Sequence, residues 1–487
     1  MQCTFPVSTP EAQGVPSDAL LRFQQRLDSH QVPLHSALFM RHGRLILEAY
    51  TPPYTADEPH RMFSVTKSFV SLAIGLLCEE GRLSLDDRVA GFFGDMLAGR
   101  PVHPYTRQAT VRDLLRMASP HALSAYKLLS PGRWMDMDCV EAFFTCPPSH
   151  RPGACFAYDT SATYVLCALA ERLSGMRFLD YLREKALDAV GLSPSARCLC
   201  DAHGYSMGGS GLMATPMDLL RVLRLVQQGG AWNGEQLLPR TYVEAAVSRQ
   251  IDSYAKPGCA ALEETQGYGY QFWCVRGGGF ACYGMGGQLA VCLPDKDILF
   301  VTTADTQDIP GGVQLIYDAF FDEVFPCLSD APLPDAPEAL AALLHYSASR
   351  RLPCVPGSAE SPLLAAISGA RYVLDENPMG FRSISLSVEG RRAALTWEKE
   401  GGRFTLPLGV GENLVVPFPE GGYRCAASGA FRSESTFVAR AQLVDTCIGS
   451  LLFELSFDAT HVTLMMHRVE ETLFREYDGF VSGRREG

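Results

Sequence analysis

Positive charge is in short supply: 42 lysines and arginines face 54 aspartates and glutamates, for a formal net charge of −12. Nucleic-acid binding needs a basic surface to neutralise phosphates, so this balance argues against such a partner. Long apolar runs are also missing. The longest, Phe69 to Cys78, is about half of the roughly 20 residues that cross a bilayer, so no membrane partner is expected. The opening residues, MQCTFPVSTPEAQG, have neither a basic start nor an apolar stretch. No secretory signal is therefore expected, and the chain reads as cytoplasmic. The 16 cysteines run from Cys3 to Cys447 without the regular spacing of a disulfide framework. Cys198 and Cys200, with His203 after them, are half a metal motif with no second pair nearby; no metal and no cofactor are expected. There is no G-x-S-x-G elbow, H-E-x-x-H motif or phosphate-binding loop, which removes support for those hydrolytic and nucleotide chemistries. No internal repeat is visible.

What is present is apolar material for a large core: 47% of the 487 residues are hydrophobic. That length exceeds the roughly 250 to 300 residues of a single core, so two domains are expected. Helical patterns cover 17–30, 110–118, 161–175 and 215–230, with Ser17 as an N-cap, Pro216 in a first turn and Gly175 just past a helix end. Strand patterns form a hairpin over 35–50, turning near His42 and Gly43, and a second pair over 280–303. Strands at both ends with helices between them predict an α+β domain over 1–325 whose terminal strands share one antiparallel sheet. Seven prolines between Phe325 and Leu363 read as a linker over 326–363 around one short helical stretch near Leu340. Beyond it the apolar period becomes two, as at Ile384, Leu386 and Val388, which predicts a C-terminal all-β domain over 364–487, an antiparallel barrel or sandwich.

Chemistry enters with S-x-x-K, which occurs at Ser64 and Lys67, at Ser124 and Lys127, and at Ser253 and Lys256. The last two run quickly into Pro and Gly and read as surface loops. Ser64 instead opens a sustained apolar stretch, FSVTKSFVSLAIGLLCEEG, that predicts a buried helix. Residues three apart share a helix face, so the Lys67 amine can reach the Ser64 hydroxyl. Burial and the positive helix end both favour a neutral amine, and the same end favours a developing oxyanion. The residues alone leave a second reading open, in which Ser64 caps the helix and Lys67 snorkels to the surface.

The same stretch, followed in order by TVRDLLRMAS, YDTSATYVLCALAERLSG, GGSGLMATPMDLLRVLRLVQQGGAWNGEQLLP and GYGYQFW, resembles the serine β-lactamase and penicillin-binding-protein-like hydrolases. The likeness is to the branch of class C β-lactamases, esterases and 6-aminohexanoate-dimer hydrolases, over about residues 8 to 325. It implies Ser64 as acylated nucleophile, Lys67 as its proton acceptor and Tyr158 as the proton-shuttling phenol. Thr160 stands where β-lactamases often carry Asn. In CYGMGGQ the third motif places Cys282 where a cation is usual, then Tyr283 and Gly284, and makes the backbone N–H groups of Ser64 and Met285 the oxyanion donors. A slip of one residue would send the Tyr283 side chain into the site instead. Gly284 is expected to let substrate lie against the strand.

A thiol cannot hold a substrate carboxylate. The implied activity is therefore an acyl-serine esterase or amidase acting on a small-molecule ester or amide. β-Lactamase, D-Ala-type peptidase, acyltransferase and a weakened ligand-binding relative are the alternatives. Tyr268, Tyr270, Phe272 and Trp273 read as core or as pocket wall, and His121 and His203 as structural. The tail segment ISGARYVLDENPMGFRSISLSV looks like a region attached to some cytoplasmic hydrolases of this kind, and a homo-oligomer is compatible with it.

Overall fold

The structure, a computed structural model, describes residues 5–129, 137–253, 262–458, 460–469 and 473–487. The chain divides into two units, 1–50 with 56–349 and 51–55 with 350–487.

In the first unit, helix α1 (Ser17–Ser29) leads into strands β1 (Leu34–Arg41) and β2 (Arg44–Tyr50). Their turn holds His42 and Gly43 at φ 51° and 69°. Four further strands are β3 (Trp273–Val275), β4 (Gly279–Gly284), β5 (Gln288–Leu293) and β6 (Ile298–Ala304). They form one sheet in the order β2-β1-β6-β5-β4-β3, antiparallel throughout. The terminal strands thus share a sheet, as the sequence predicts.

Alternation along the strands feeds two cores. Phe39, Ala281, Val291 and Phe300 face α1 residues Phe23 and Leu27, with Phe23 edge-on to Phe39 at 5.2 Å. Met40, Cys282, Ala290, Leu299 and Val301 face the opposite layer. That layer holds α2 (Thr66–Glu79), α3 (Val111–Leu115), α4 (Thr160–Ser174) and α5 (Pro216–Gln227). α2 is buried from Thr66 to Leu77, which accounts for its apolar composition on every face. α4 starts at an Asp159 cap and ends at Gly175 with φ 76°; α5 starts on a Thr215–Asp218 capping box.

The expected linker is shorter than the prolines imply. Pro337–Ser349 is a helix, α6, because Pro337 sits in its first turn, where no backbone donor is needed. Leu343 is fully buried, Ser347 bonds Gln24 at 2.8 Å, and Tyr346 bonds Asp28 at 2.7 Å. These contacts hold α6 against α1, so the first unit runs to 349.

The second unit resolves the choice between barrel and sandwich in favour of a barrel. Its strands are β7 (Arg371–Leu374), β8 (Phe381–Glu389), β9 (Arg392–Lys399), β10 (Gly402–Gly409), β11 (Leu414–Pro417), β12 (Arg424–Phe431), β13 (Thr436–Val444), β14 (Ile448–Phe457), β15 (His461–Arg468) and β16 (Gly479–Arg485). Nine close a ring in the order β10-β9-β8-β7-β16-β15-β14-β13-β12, with β11 paired to β12. An odd ring cannot be antiparallel throughout; the parallel seam is β10 against β12, at Gly409 and Ser428. Trp397, Phe381, Phe453 and Tyr477 fill the interior. Glu420 accepts from the Trp397 indole at 3.0 Å and from the Tyr477 hydroxyl, and pairs with Lys399 at 2.5 Å.

Candidate active site

Ser64 lies in a single 3₁₀ turn, Phe63–Val65, that runs directly into α2. Phe63 before it takes φ 45°, a conformation that bulky residues adopt only where the surroundings impose it. Those surroundings are visible. The Thr66 hydroxyl donates to the Phe63 carbonyl at 2.6 Å and accepts from the Leu212 amide at 3.0 Å, while the Met62 amide donates to the Leu212 carbonyl at 2.9 Å. The turn is thereby fastened to a segment about 150 residues away, and Ser64 is presented half-exposed.

Lys67, one helical turn on, is 1% exposed. Its Nζ donates to Ser64 Oγ at 2.8 Å and to the Gly209 carbonyl at 2.6 Å. The snorkelling alternative is excluded by that burial. Nζ also lies 5.1 Å from the centre of the Tyr158 ring. Burial pushes the Tyr158 phenol up, the nearby Glu264 charge pushes the same way, and a hydrogen bond with the Ser64 hydroxyl acts in the opposite direction. Ser64, Lys67 and Tyr158 are therefore gathered at one point.

Thr160 is the first residue of α4; its amide donates to Ser124 Oγ at 2.8 Å. A β-carbon on Gly209 would come within 2.3 Å of the Thr160 methyl, so Gly209 exists to let α4 approach the carbonyl that holds Lys67. Asp159, fully buried, anchors the segment by accepting from Ser119 Oγ at 2.7 Å and from the Ser161 amide at 2.9 Å.

On the third motif the sequence reading needs correction. Cys282 is 4% exposed and faces α2, its thiol beside Ser68 and pushed up to about 12 by burial. It is a core side chain. Tyr283, on the other face of β4, is hydrogen-bonded to Glu264, whose carboxyl burial pushes up. Gly284 is required by the protein itself: a β-carbon there would meet the Met62 carbonyl at 2.2 Å and the Ser64 amide nitrogen at 3.2 Å. Met285 opens the following turn, its carbonyl held by Gln288 Nε2 at 2.8 Å.

The other serines of the repeated motif are not surface loops. Ser124 is buried, with Lys127 exposed, and Ser253 is buried, joining the Glu264 carbonyl at 2.7 Å to the Gly267 amide at 2.9 Å; Lys256 lies outside the described residues. Trp273 stacks on Tyr158 at 5.6 Å and 19°, backed by Tyr268 at 4.8 Å, whereas Tyr270 and Phe272 join the core. His121 is buried, bonding the Phe143 carbonyl at 2.9 Å, and His203 is exposed. Among the described residues no cluster of His, Cys, Asp and Glu could hold a metal, and no helix is long and apolar enough to cross a membrane.

A three-layered α+β domain with a buried lysine beside a partly exposed serine at the start of its central helix defines the class. Residues 21–317 match the family model described as Beta-lactamase, and the chain belongs to that family of hydrolases. It is 22% identical over 317 residues to the 6-aminohexanoate-dimer hydrolase of Paenarthrobacter ureafaciens, covering 62% of this chain and 80% of that protein. Among solved structures, a Bacillus anthracis protein provisionally named as a 6-aminohexanoate-dimer hydrolase aligns with a TM-score of 0.54 at 20% identity, over 66% of this chain and 86% of its own. EstCE1, described as a hydrolase with promiscuous acyltransferase activity, aligns at 0.50 and 18% identity, over 63% of this chain and 99% of its own.

Proposed function

We propose that this protein is a serine hydrolase that cleaves an ester or amide through an acyl-serine intermediate. The observation that carries the reading is the 2.8 Å contact between the buried Lys67 amine and the Ser64 hydroxyl, with the Tyr158 ring centre 5.1 Å from the same amine. Ser64 Oγ attacks the carbonyl carbon while Lys67, in its neutral form, takes the proton. The tetrahedral oxyanion is received by the Ser64 and Met285 amides. Tyr158 delivers a proton to the leaving alcohol or amine, and water, deprotonated by the same groups, releases the acyl chain.

The substrate reading follows from what flanks the serine. Cys282 offers no charge and Tyr283 is engaged by Glu264, so neither side chain supplies a cation to a substrate carboxylate. This favours an uncharged ester or amide over a β-lactam or a peptide C-terminus. The relative named for hydrolysis of an amide-linked dimer supports the amide side. Thr160 supplies a hydroxyl, and the edge Tyr283 presents an aromatic face, for orienting such a substrate. The cysteines among the described residues are free thiols, which suits the cytoplasmic setting.

The test is labelling by a fluorophosphonate probe together with turnover of p-nitrophenyl acetate. Native protein is expected to be labelled, Ser64→Ala not, and Tyr158→Phe to lose turnover. Labelling that survives Ser64→Ala contradicts the reading, and a native protein inert to both reagents favours the ligand-binding alternative.

A further inference from the structure

Gln271 is 2% exposed and takes φ 64°, a left-handed conformation that a long side chain adopts only when held there. Its holding contacts use its hydrogen-bonding groups in full. The backbone amide donates to the Leu115 carbonyl at 3.0 Å. The side-chain Nε2 donates to the Leu114 carbonyl at 3.0 Å and to the Leu115 carbonyl at 2.7 Å. These carbonyls lie in the last turn of α3, where Leu115 takes its donors from Gln271 and Leu114 also accepts from the Met117 amide at 3.2 Å. Oε1 accepts from the Thr163 hydroxyl at 2.7 Å, and the backbone carbonyl accepts from the Ser68 hydroxyl at 2.7 Å. Two carbonyls on one side fix the amide orientation, since a flipped side chain would set its oxygen against both.

The partners are what make the residue interesting. Ser68 follows Lys67 on α2. Thr163 lies one turn beyond Thr160 on α4. The chain just after α3 grips Tyr158 from both sides: the Met117 carbonyl accepts from the Ala157 amide at 2.7 Å, and the Met117 sulfur from the Asp159 amide at 3.4 Å. Trp273, two residues after Gln271, stacks on the Tyr158 ring. A single residue thus joins α2, through its backbone carbonyl, to the end of α3 and to α4, through its side-chain amide.

We propose that Gln271 is a positioning residue that sets the separation between the Ser64–Lys67 pair and Tyr158. It touches none of the three; its side chain acts through Thr163 and the end of α3, while its backbone carbonyl holds Ser68. The inference rests on the acyl-serine reading. Replacing the amide by an apolar side chain of similar volume removes its bonds to the α3 carbonyls and to the Thr163 hydroxyl while keeping the packing and the backbone bonds to Leu115 and Ser68, so the phenol drifts relative to the serine.

The experiment is a double-mutant cycle on the rate of acylation by p-nitrophenyl acetate, with Gln271→Met and Tyr158→Phe, each checked by near-ultraviolet circular dichroism. Gln271→Met is expected to slow acylation on the order of 10²-fold, as a misplacement of about 1 Å can, with KM within about threefold. In the Tyr158→Phe background the same substitution is expected to cost less than about threefold, because the group it positions is gone. A folded Gln271→Met within about threefold of native, or an undiminished loss in the Tyr158→Phe background, overturns the proposal. If Gln271→Met does not fold, Thr163→Val, which deletes one bond of the set, carries the same cycle by the same criterion. Fluorophosphonate labelling of native protein and Ser64→Ala in the same preparations separates the failures. Loss of Ser64-dependent labelling sinks the acyl-serine reading and this inference with it, whereas intact labelling with an indifferent Gln271 sinks the inference alone.

Discussion

Gly284 and Ser64 are packed backbone to backbone: a β-carbon at position 284 would stand 3.2 Å from the Ser64 amide nitrogen and 2.2 Å from the Met62 carbonyl oxygen. Neither neighbour is a flexible side-chain end, so an added methyl group must displace the turn that presents the nucleophile. Gly284→Ala is therefore expected to cost about 1 to 3 kcal/mol of stability through overpacking and to slow acylation of Ser64 on the order of 10²-fold. Denaturant midpoints and probe-labelling rates check the two effects. A variant acylated at the native rate would mean that the turn is not held as the structure has it.

Gly209 and Thr160 allow a rescue experiment. Gly209→Ala would drive its methyl into the Thr160 methyl at 2.3 Å and shift the carbonyl that holds Lys67 at 2.6 Å. Activity is expected to fall. Removing the obstructing methyl with Thr160→Ser in the same chain is expected to restore most of it, since the next neighbour, the Tyr164 ring, is 3.3 Å away. Steady-state turnover of the single and double variants decides. Additive losses in the double variant would count against the packing argument.

The pair of buried histidines beneath this turn makes stability depend on pH. His60 Nδ1 faces the Arg61 carbonyl at 2.9 Å and must carry the proton there, which leaves Nε2 to accept from His35 Nδ1 at 2.9 Å. Burial pushes His60 down to about 4 from 6.5. Between those values the unfolded chain binds more protons than the folded one, so this contribution is complete above pH 6.5 and is lost as pH falls toward 4. From pH 7 to pH 5 it is worth about 2 kcal/mol. Buried Asp159 is pushed up and pulls the opposite way, so the comparison is between native protein and His60→Gln. The variant is expected to lose about 2 kcal/mol less than native over that interval in urea titrations, and equal losses would contradict the assignment.

The sequence discloses what local spacing controls. Ser64 and Lys67 are legible because three residues along a helix fix their approach, and the barrel is legible in its period of two. Tyr158 came from resemblance, as no spacing links it to Ser64. The Cys282 assignment failed because motif matching ignores strand alternation: Cys282 shares its face with Gly284 and points at α2, so Tyr283 is the one turned away from that core. Ser124 and Ser253 looked like loop serines because their binding partners, the Thr160 amide and the Glu264 carbonyl, are fixed only by the tertiary fold. Gly209 and Gln271 were hidden for the same reason, with partners 142 and 203 residues away in sequence. The helical stretch expected near Leu340 is α6, but the prolines that suggested a linker over 326–363 hid its full length and its packing on α1, since proline in a first turn starts a helix as readily as it ends one. The parallel seam of the barrel depends on the register of Gly409 against Ser428, which no single strand encodes.

The measurement that bears most directly on the account is the rate at which Ser64 is acylated when Lys67 is replaced by methionine, which keeps the buried volume and removes the amine. Intact-protein mass spectrometry after mixing with p-nitrophenyl acetate reads the acyl adduct. Loss of a general base is worth about 10² to 10⁴ in rate, so the Lys67→Met adduct is expected to form at least 10²-fold more slowly than native, at an unchanged serine. An adduct that forms at the native rate without the amine, or on a residue other than Ser64, would contradict the account.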